Sequence, residues 1–114
     1  MNNLDRLKME IKGINFADDE LSIFLEEVGL EPAETYLPTQ NRRQICEAAL
    51  HVLESIANQP HLMRAYKLDD MTVSEFAEHL QSRIDQLRAM LRTATASMQE
   101  YYNRMFMLFG GSDK

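Results

Sequence analysis

The feature that most restricts the fold of this sequence is its last third, where about 37 residues pass without a glycine or a proline. From Thr72 onwards, neither residue type occurs before Gly110. Because Gly and Pro are the residues that most often end helices, this stretch predicts one helix over about 72–109. At 1.5 Å per residue such a helix is ~56 Å long, whereas a domain of this size has a radius of gyration of ~13 Å. The helix is too long for its own chain to pack along its whole length.

The apolar residues of this helix follow a seven-residue repeat, which predicts a narrow packing seam. The repeat does not say whether the partner helix belongs to the same chain. We expect the first half to pack on the chain's own core and the second half to face a neighbouring subunit. One set of seam positions is Val73, Leu80, Leu87, Ala94, Tyr101 and Leu108, and the other is Ala77, Ile84, Leu91, Met98 and Met105.

The composition of the whole chain favours helices. Only four Gly and three Pro are present among 114 residues, and good helix formers such as Leu, Met, Ala, Glu and Arg are abundant. The sequence predicts an all-α fold, a small bundle of about four to five helices in a single domain over 1–114. We place its core at about 15–92. A first helix at 4–12 and the helical extension 93–109 are expected to be interaction segments.

Three helices are expected before the long one. A short helix over about 4–12 should end at Gly13. Asp18 is the expected N-cap of a second helix, which Gly29 should end. A third helix over roughly 40–58 has an apolar surface wide enough for the centre of a bundle.

The segment between the second and third helices contains two prolines. Pro32 suits the first turn of a short helix, and Pro38 is expected to stop it. Thr39 is then the expected N-cap of the third helix. After that helix, "LMRAYKLDDM" is expected to be a connector with at most one helical turn.

The net charge of −6 is unevenly placed. Residues 1–37 hold three basic and nine acidic residues, whereas 38–114 hold nine of each. Binding to a phosphate backbone needs a basic surface, so nucleic acid is not an expected partner. The acidic third is interpreted either as a solvated face or as a contact for a basic protein surface. A single cysteine, Cys46, and the absence of a signal-peptide pattern or an apolar run of ~20 residues predict a cytoplasmic, non-membrane protein.

Polar residues crowd the start of the long helix. Thr72 and Glu75 have the spacing of a capping box, and Asp69 and Asp70 precede the positive end of the helix. The alternative is a calcium-binding loop, but the glycine and the later glutamate of an EF-hand are missing. We expect these residues to start the helix.

Histidines and their neighbouring glutamates raise a second possible metal site. His51 lies between Glu47 and Glu54, and His79 follows Glu75 by four residues. Di-iron bundles use Glu-x-x-His, whereas the spacing here is Glu-x-x-x-His, which exposed i,i+4 pairs explain better. Cys46 is expected to be a small buried apolar residue. No catalytic residue, metal, cofactor or small-molecule substrate is predicted, and we do not expect an enzyme.

The end of the chain is the strongest candidate for an interaction surface. Aromatic residues and methionines on more than one helix face are typical of protein interfaces, and a monomer rarely exposes such a patch. The helix could alternatively fold back on its own bundle or lie on a membrane surface. The candidate interaction residues are Leu91, Met98, Tyr101, Tyr102, Met105, Phe106, Leu108 and Phe109.

One stretch of the chain resembles a known family. The helix "AALHVLESIA", the connector "YKLDDMTVS" and the helix "FAEHLQSRIDQLRAML" are similar to those of the small all-helical head–tail connector (adaptor) proteins of tailed bacteriophages and prophages. The earlier segments "EEVGL" and "ETYLP" fit the same pattern, so the similarity covers about residues 18–92. The extension beyond residue 92 is longer than the family pattern.

The resemblance implies a non-enzymatic structural protein of virion assembly. Such a protein forms a homo-oligomeric ring and docks on the portal, where it meets other neck and tail proteins. It would be cytoplasmic in the bacterial host and then part of the virion neck. The heptads leave a second interpretation open, a small regulatory or adaptor module that dimerises through a coiled coil over 72–109.

Overall fold

The computed structural model describes residues 1–12, 14–66 and 70–108, except for the side chains of Pro60 and of 94–108. Within these residues the chain forms five α-helices and no β-strand, so the predicted all-α fold is confirmed. The helices are α1 (Asn3–Glu10), α2 (Asp18–Glu27), α3 (Pro38–Ala57), α4 (Pro60–Tyr66) and α5 (Val73–Leu108).

The helix at the centre of the bundle is α3. α1 and α2 pack on it and on each other, α5 also packs on it, and α4 contacts both α3 and α5. Because neighbours cover α3 on both of its apolar faces, burial of this helix organises the whole core. Its buried residues are Ile45, Cys46, Ala48, Ala49, Leu50, Val52, Leu53 and Ile56.

The first helix belongs to this core. Leu7 is completely buried and Ile11 is 3% exposed, and both pack in the same apolar cluster as the α3 side chains. The core therefore starts before residue 15, the boundary expected from the sequence. Lys8 also pairs with Asp18 at 2.8 Å, which joins α1 to the start of α2.

The short helix predicted after Pro32 does not form, and this segment is a turn instead. Its carbonyl groups accept hydrogen bonds from the start of α1. The Leu4 N–H donates to Pro32 O at 3.1 Å, and the Asn3 N–H donates to Glu34 O at 2.9 Å. The Asn3 side chain also donates to Glu31 O at 2.9 Å. The first N–H groups of a helix have no partner within it, and this turn supplies partners for α1.

Two predicted helix starts are wrong by a few residues. Pro38 does not stop a helix but is the first residue of α3, whose N-cap is Leu37 rather than Thr39. Proline suits this position because its ring presets the helical φ angle and its missing N–H would have had no partner there. Asp18 is likewise the first residue of α2, and Ala17 is the N-cap.

Two further predictions concern helix ends and the connector. Gly29 follows α2 with a φ angle of +87°, a left-handed conformation, so the predicted end at this glycine is confirmed. The connector after α3 contains a seven-residue helix, α4, which is longer than the single turn expected. Tyr66 at the end of α4 stacks on Phe16 with ring centroids 4.8 Å apart, which attaches the connector to the segment before α2.

The molecule is elongated, with extents of 59 × 31 × 18 Å. Its radius of gyration is 17.4 Å, whereas a compact domain of this length has ~13 Å. The 36 residues of α5 span roughly 54 Å, nearly the longest dimension of the molecule. The length of α5 therefore sets the overall shape.

Candidate interaction surfaces

The start of α5 is held by two reciprocal hydrogen bonds. The Glu75 N–H donates to Thr72 Oγ1 at 3.0 Å. In return, the Thr72 N–H donates to Glu75 Oε1 at 2.9 Å. These bonds form a capping box and satisfy two N–H groups at the helix start. Thr72 also lowers the pKa of the Glu75 carboxyl group, because first its backbone and then its side chain stabilise the charged form of that carboxylate.

The face of α5 that packs on the body is wider than the predicted seam. Leu80, Ile84 and Leu87 are buried as expected, but Phe76 is buried too and Val73, a predicted seam residue, is 36% exposed. Phe76 lies next to the seam on the helix surface. A helix that packs on a globular body buries such a wider stripe, whereas a two-stranded coiled coil buries only the narrow seam.

Two ion pairs hold α5 in place. Arg83 of α5 pairs with Glu10 of α1. Arg88 of α5 pairs with Glu54 of α3 at 2.5 Å. Both pairs are partly exposed to solvent, so their energies are small and they mainly align α5 against the bundle.

Of the predicted interaction residues, Leu91 is the one whose side chain the structure describes. Leu91 is half-buried and packs at the edge of the core. It is the last residue of α5 seen against the core, counting only residues with described side chains. Phe109 lies outside the described residues. The backbone continues as a helix through the other predicted positions, whose side chains are outside the described part: Met98, Tyr101, Tyr102, Met105, Phe106 and Leu108.

A groove lies where α5 leaves the start of α3, and we name it the α3–α5 groove. It has a volume of about 310 Å³. Cys46, Met90 and Leu91 give it apolar walls, while Arg42 and Arg43 stand on its rim and are exposed. No acidic residue is among the described residues that line it. The remaining lining residues are Pro38, Thr39 and Gln40.

The cysteine at the edge of this groove is buried, as the sequence predicts. Cys46 is 4% exposed. Burial raises the pKa of its thiol, the charge of Glu10 acts in the same direction, and the positive charge of Arg42 offsets only part of the rise. A thiol with a raised pKa is a poor nucleophile at neutral pH, so Cys46 acts as a packing residue.

A second surface is the exposed side of α2, which we name the α2 acidic face. Ile23 lies at its centre and is 56% exposed. Residues three and four positions away on a helix are neighbours, so four exposed acids surround this isoleucine. The α2 acidic face consists of Asp19, Glu20, Ile23, Glu26 and Glu27.

A small cavity between the end of α1 and the start of α5 has a volume of about 190 Å³. His79 and the pair Glu10 and Arg83 stand beside apolar residues such as Phe76. Pockets for drug-sized molecules are ~300–1,000 Å³, so this space is too small for such a ligand. We assign no ligand to it.

The glutamates near the histidines are engaged in other contacts. Glu47 pairs with Arg43 at 3.5 Å, and the carboxylate of Glu75 belongs to the capping box. Over the part of the chain that the structure describes, no three His, Cys, Asp or Glu residues are grouped so that they could hold a metal ion.

Sequence reasoning missed both the α3–α5 groove and the α2 acidic face. A signal for the second surface was present, because Ile23 lies outside the buried stripe of α2 with acids at every neighbouring helix position. The groove had a weaker signal in Met90, an apolar residue outside the heptad seam. Its position depends on where α5 crosses α3, which the spacing of residues in one helix does not encode.

Comparison of this chain with protein-family models, with curated proteins and with solved structures found no match. None of the helices in the described ranges has the length and apolar character that crossing a bilayer requires.

Proposed function

We propose that this chain is a non-enzymatic structural protein that self-associates through the distal part of α5. The observation that carries the proposal is the length of α5 relative to the body. The helix continues to Leu108, whereas Leu91 is the last residue with a described side chain that packs at the core. About 17 residues of helix, or ~25 Å, follow that point.

The sequence of this distal segment supports a role in association. It contains five aromatic or methionine residues between Met98 and Phe106 but only one acid and one base there, Glu100 and Arg104. Apolar side chains repeated along one side of a helix are unfavourable in water unless another surface covers them. A second copy of the chain offers the same seam, so self-association would bury it.

The specific proposal is a head–tail connector of a tailed phage or prophage. The similarity of residues 18–92 to the connector pattern supports it, together with a small helical bundle and an elongated shape. In this proposal the protein forms a ring by a closing head-to-tail interface and docks on the portal and other neck proteins. Its place would be the host cytoplasm and then the virion neck.

A second candidate is a dimeric helical adaptor or regulatory module. The continuous heptad seam favours it, because the repeat runs on to Leu108 without a break. This candidate predicts a stable dimer that dissociates when the chain is truncated after Arg92, with the remaining body still folded.

Native mass spectrometry of the full chain at high concentration distinguishes the two candidates. The measurement should be made on the protein alone and with a portal protein from the same phage or prophage genome. Assembly beyond a dimer, or a complex with the portal, supports the connector. A strictly monomeric or dimeric species that does not bind the portal contradicts it.

A further inference from the structure

The α3–α5 groove has the shape and charge of a docking site. Its volume of about 310 Å³ is larger than the ~150 Å³ that takes up a benzene-sized apolar group. Arg42 makes its rim positive, while Arg43 beside it pairs with Glu47 of α3 at 3.5 Å. The groove therefore suits an aliphatic side chain that is flanked by carboxylates.

The α2 acidic face has the complementary features. Ile23 projects between Asp19 and Glu20 on one side and Glu26 and Glu27 on the other. Among the described residues, no ion pair includes any of these four acids. The acid of α2 that does form an ion pair is Asp18, with Lys8 of α1. Positive and negative surfaces that meet in this way steer association and set its register.

The α2 acidic face points away from α3, the helix that forms one wall of the groove. Gln44 donates to Val28 O at 2.9 Å, which puts the end of α2 against its side of α3. Cys46 follows two residues later, about 200° around the helix, and lines the groove. On α2, Ile23 is likewise about 200° from the buried Leu21 and Leu25, so the acidic face points away from α3.

From this arrangement we propose that the α2 acidic face of one copy docks into the α3–α5 groove of the next copy. A helix face that points away from α3 cannot reach a groove on α3 within the same molecule. Two different surfaces that meet between copies make a heterologous interface, which closes into a ring or continues as a filament. The inference rests on the proposed self-association and names a second contact in addition to the α5 seam.

Charge reversal in the full chain tests this contact. The face variant is Glu26→Lys/Glu27→Lys, and the groove variant is Arg42→Glu, which leaves the pair of Arg43 with Glu47 intact. Lysines in the last turn of α2 agree with the helix dipole, and Arg42 is exposed, so both variants should fold. The control is Glu78→Lys/Asp85→Lys, which makes the same change in charge as the face variant on exposed α5 positions.

Sedimentation velocity over a concentration series is measured for each variant and for an equimolar mixture of the face and groove variants. We expect each variant alone to need at least a tenfold higher concentration for half-assembly, because like charges then face each other. The mixture should recover assembly close to that of the unmodified chain, because each reversed surface meets its complement. The control should assemble as the unmodified chain does.

The outcomes separate this inference from the proposed function. If the unmodified chain assembles and either variant alone assembles equally well, the interface is rejected and self-association through α5 stands. If both variants dissociate but their mixture does not recover, the two surfaces do not meet and the interface is also rejected. If the unmodified chain stays monomeric throughout, self-association and this interface are both rejected, and the connector proposal then depends on the complex with the portal.

Discussion

At the scale of single residues, polar side chains just before α5 cap the start of this helix. Thr72 and Glu75 exchange hydrogen bonds at the helix start. Met71 is half-buried beside the buried Phe76, and both line the cavity next to α1. Asp69 lies outside the described residues, and Asp70 is exposed. Thr72 and Glu75 therefore set the position where the longest helix begins.

The capping box gives the first prediction. Thr72→Ala removes the acceptor for the Glu75 N–H and should lower the free energy of unfolding by about 1 kcal/mol. Ser74→Ala is the matched control, since it removes an exposed hydroxyl group two residues later and should change the stability by less than about 0.5 kcal/mol. Urea denaturation followed by circular dichroism measures both. Equal effects of the two substitutions would contradict the role of Thr72.

The lowered pKa of Glu75 gives a prediction about pH. A free glutamate ionises near ~4.3, and the pKa of Glu75 in the folded chain lies below its ordinary value. As the pH falls, the unfolded chain binds this proton first, so the stability that the carboxylate contributes is present above the unfolded pKa. It is lost as the pH falls through the folded pKa.

Glu75→Gln isolates that contribution. The difference in the free energy of unfolding between the natural chain and this variant should be constant near neutral pH and should shrink as the pH falls below the ordinary glutamate pKa of ~4.3, because the folded pKa of Glu75 is lower. Urea denaturation at several pH values measures it. A difference that stays the same over this range would show that Glu75 has no lowered pKa.

At the scale of helices, the long-range features were the most predictable from sequence. The absence of Gly and Pro after Thr72 predicts α5 almost to its observed ends, and the two apolar faces predict that α3 is central. The short segment around Pro32 was not predictable, because a proline suits the start of a helix and a turn equally well. The segment forms a turn because the N–H groups at the start of α1 donate hydrogen bonds to its carbonyl groups.

The candidate surfaces show the same limit. The seam residues Leu80, Ile84 and Leu87 are buried as predicted, since the period of a helix puts them on one side. Burial of Phe76 in place of Val73 depends on the rotation of α5 about its own axis, and contacts with α1 and α3 set this rotation. Local spacing carries no information about such contacts.

The packing of α5 on α3 gives a prediction at this scale. Leu87 is completely buried, so Leu87→Ala should lower the free energy of unfolding by roughly 2–5 kcal/mol. Val73→Ala is the control at a position that the heptad repeat treats as equivalent but that is 36% exposed, and it should cost much less. Urea denaturation of both variants measures the difference. Similar losses would mean that the narrow seam, and not the wider stripe, packs on the body.

At the scale of the whole molecule, the chain combines a small helical body with a helix, α5, that is longer than that body. Its radius of gyration of 17.4 Å reflects that helix. The negative charge is concentrated in residues 1–37, which include the α2 acidic face, whereas the arginines of the groove rim belong to residues 38–114, whose net charge is zero. Size, shape and charge distribution all favour a protein whose function is to contact other copies and other proteins.

The most direct test of this account substitutes the distal seam in the full chain. Met98→Lys/Met105→Lys puts charges at two seam positions, and the control Gln99→Lys/Asn103→Lys adds the same charge at positions outside the seam. Native mass spectrometry of both variants and of the natural chain at high concentration reports their assembly. The account predicts that the natural chain and the control form the same oligomer and that the seam variant is monomeric or much less assembled. A seam variant that assembles like the control would contradict association through α5.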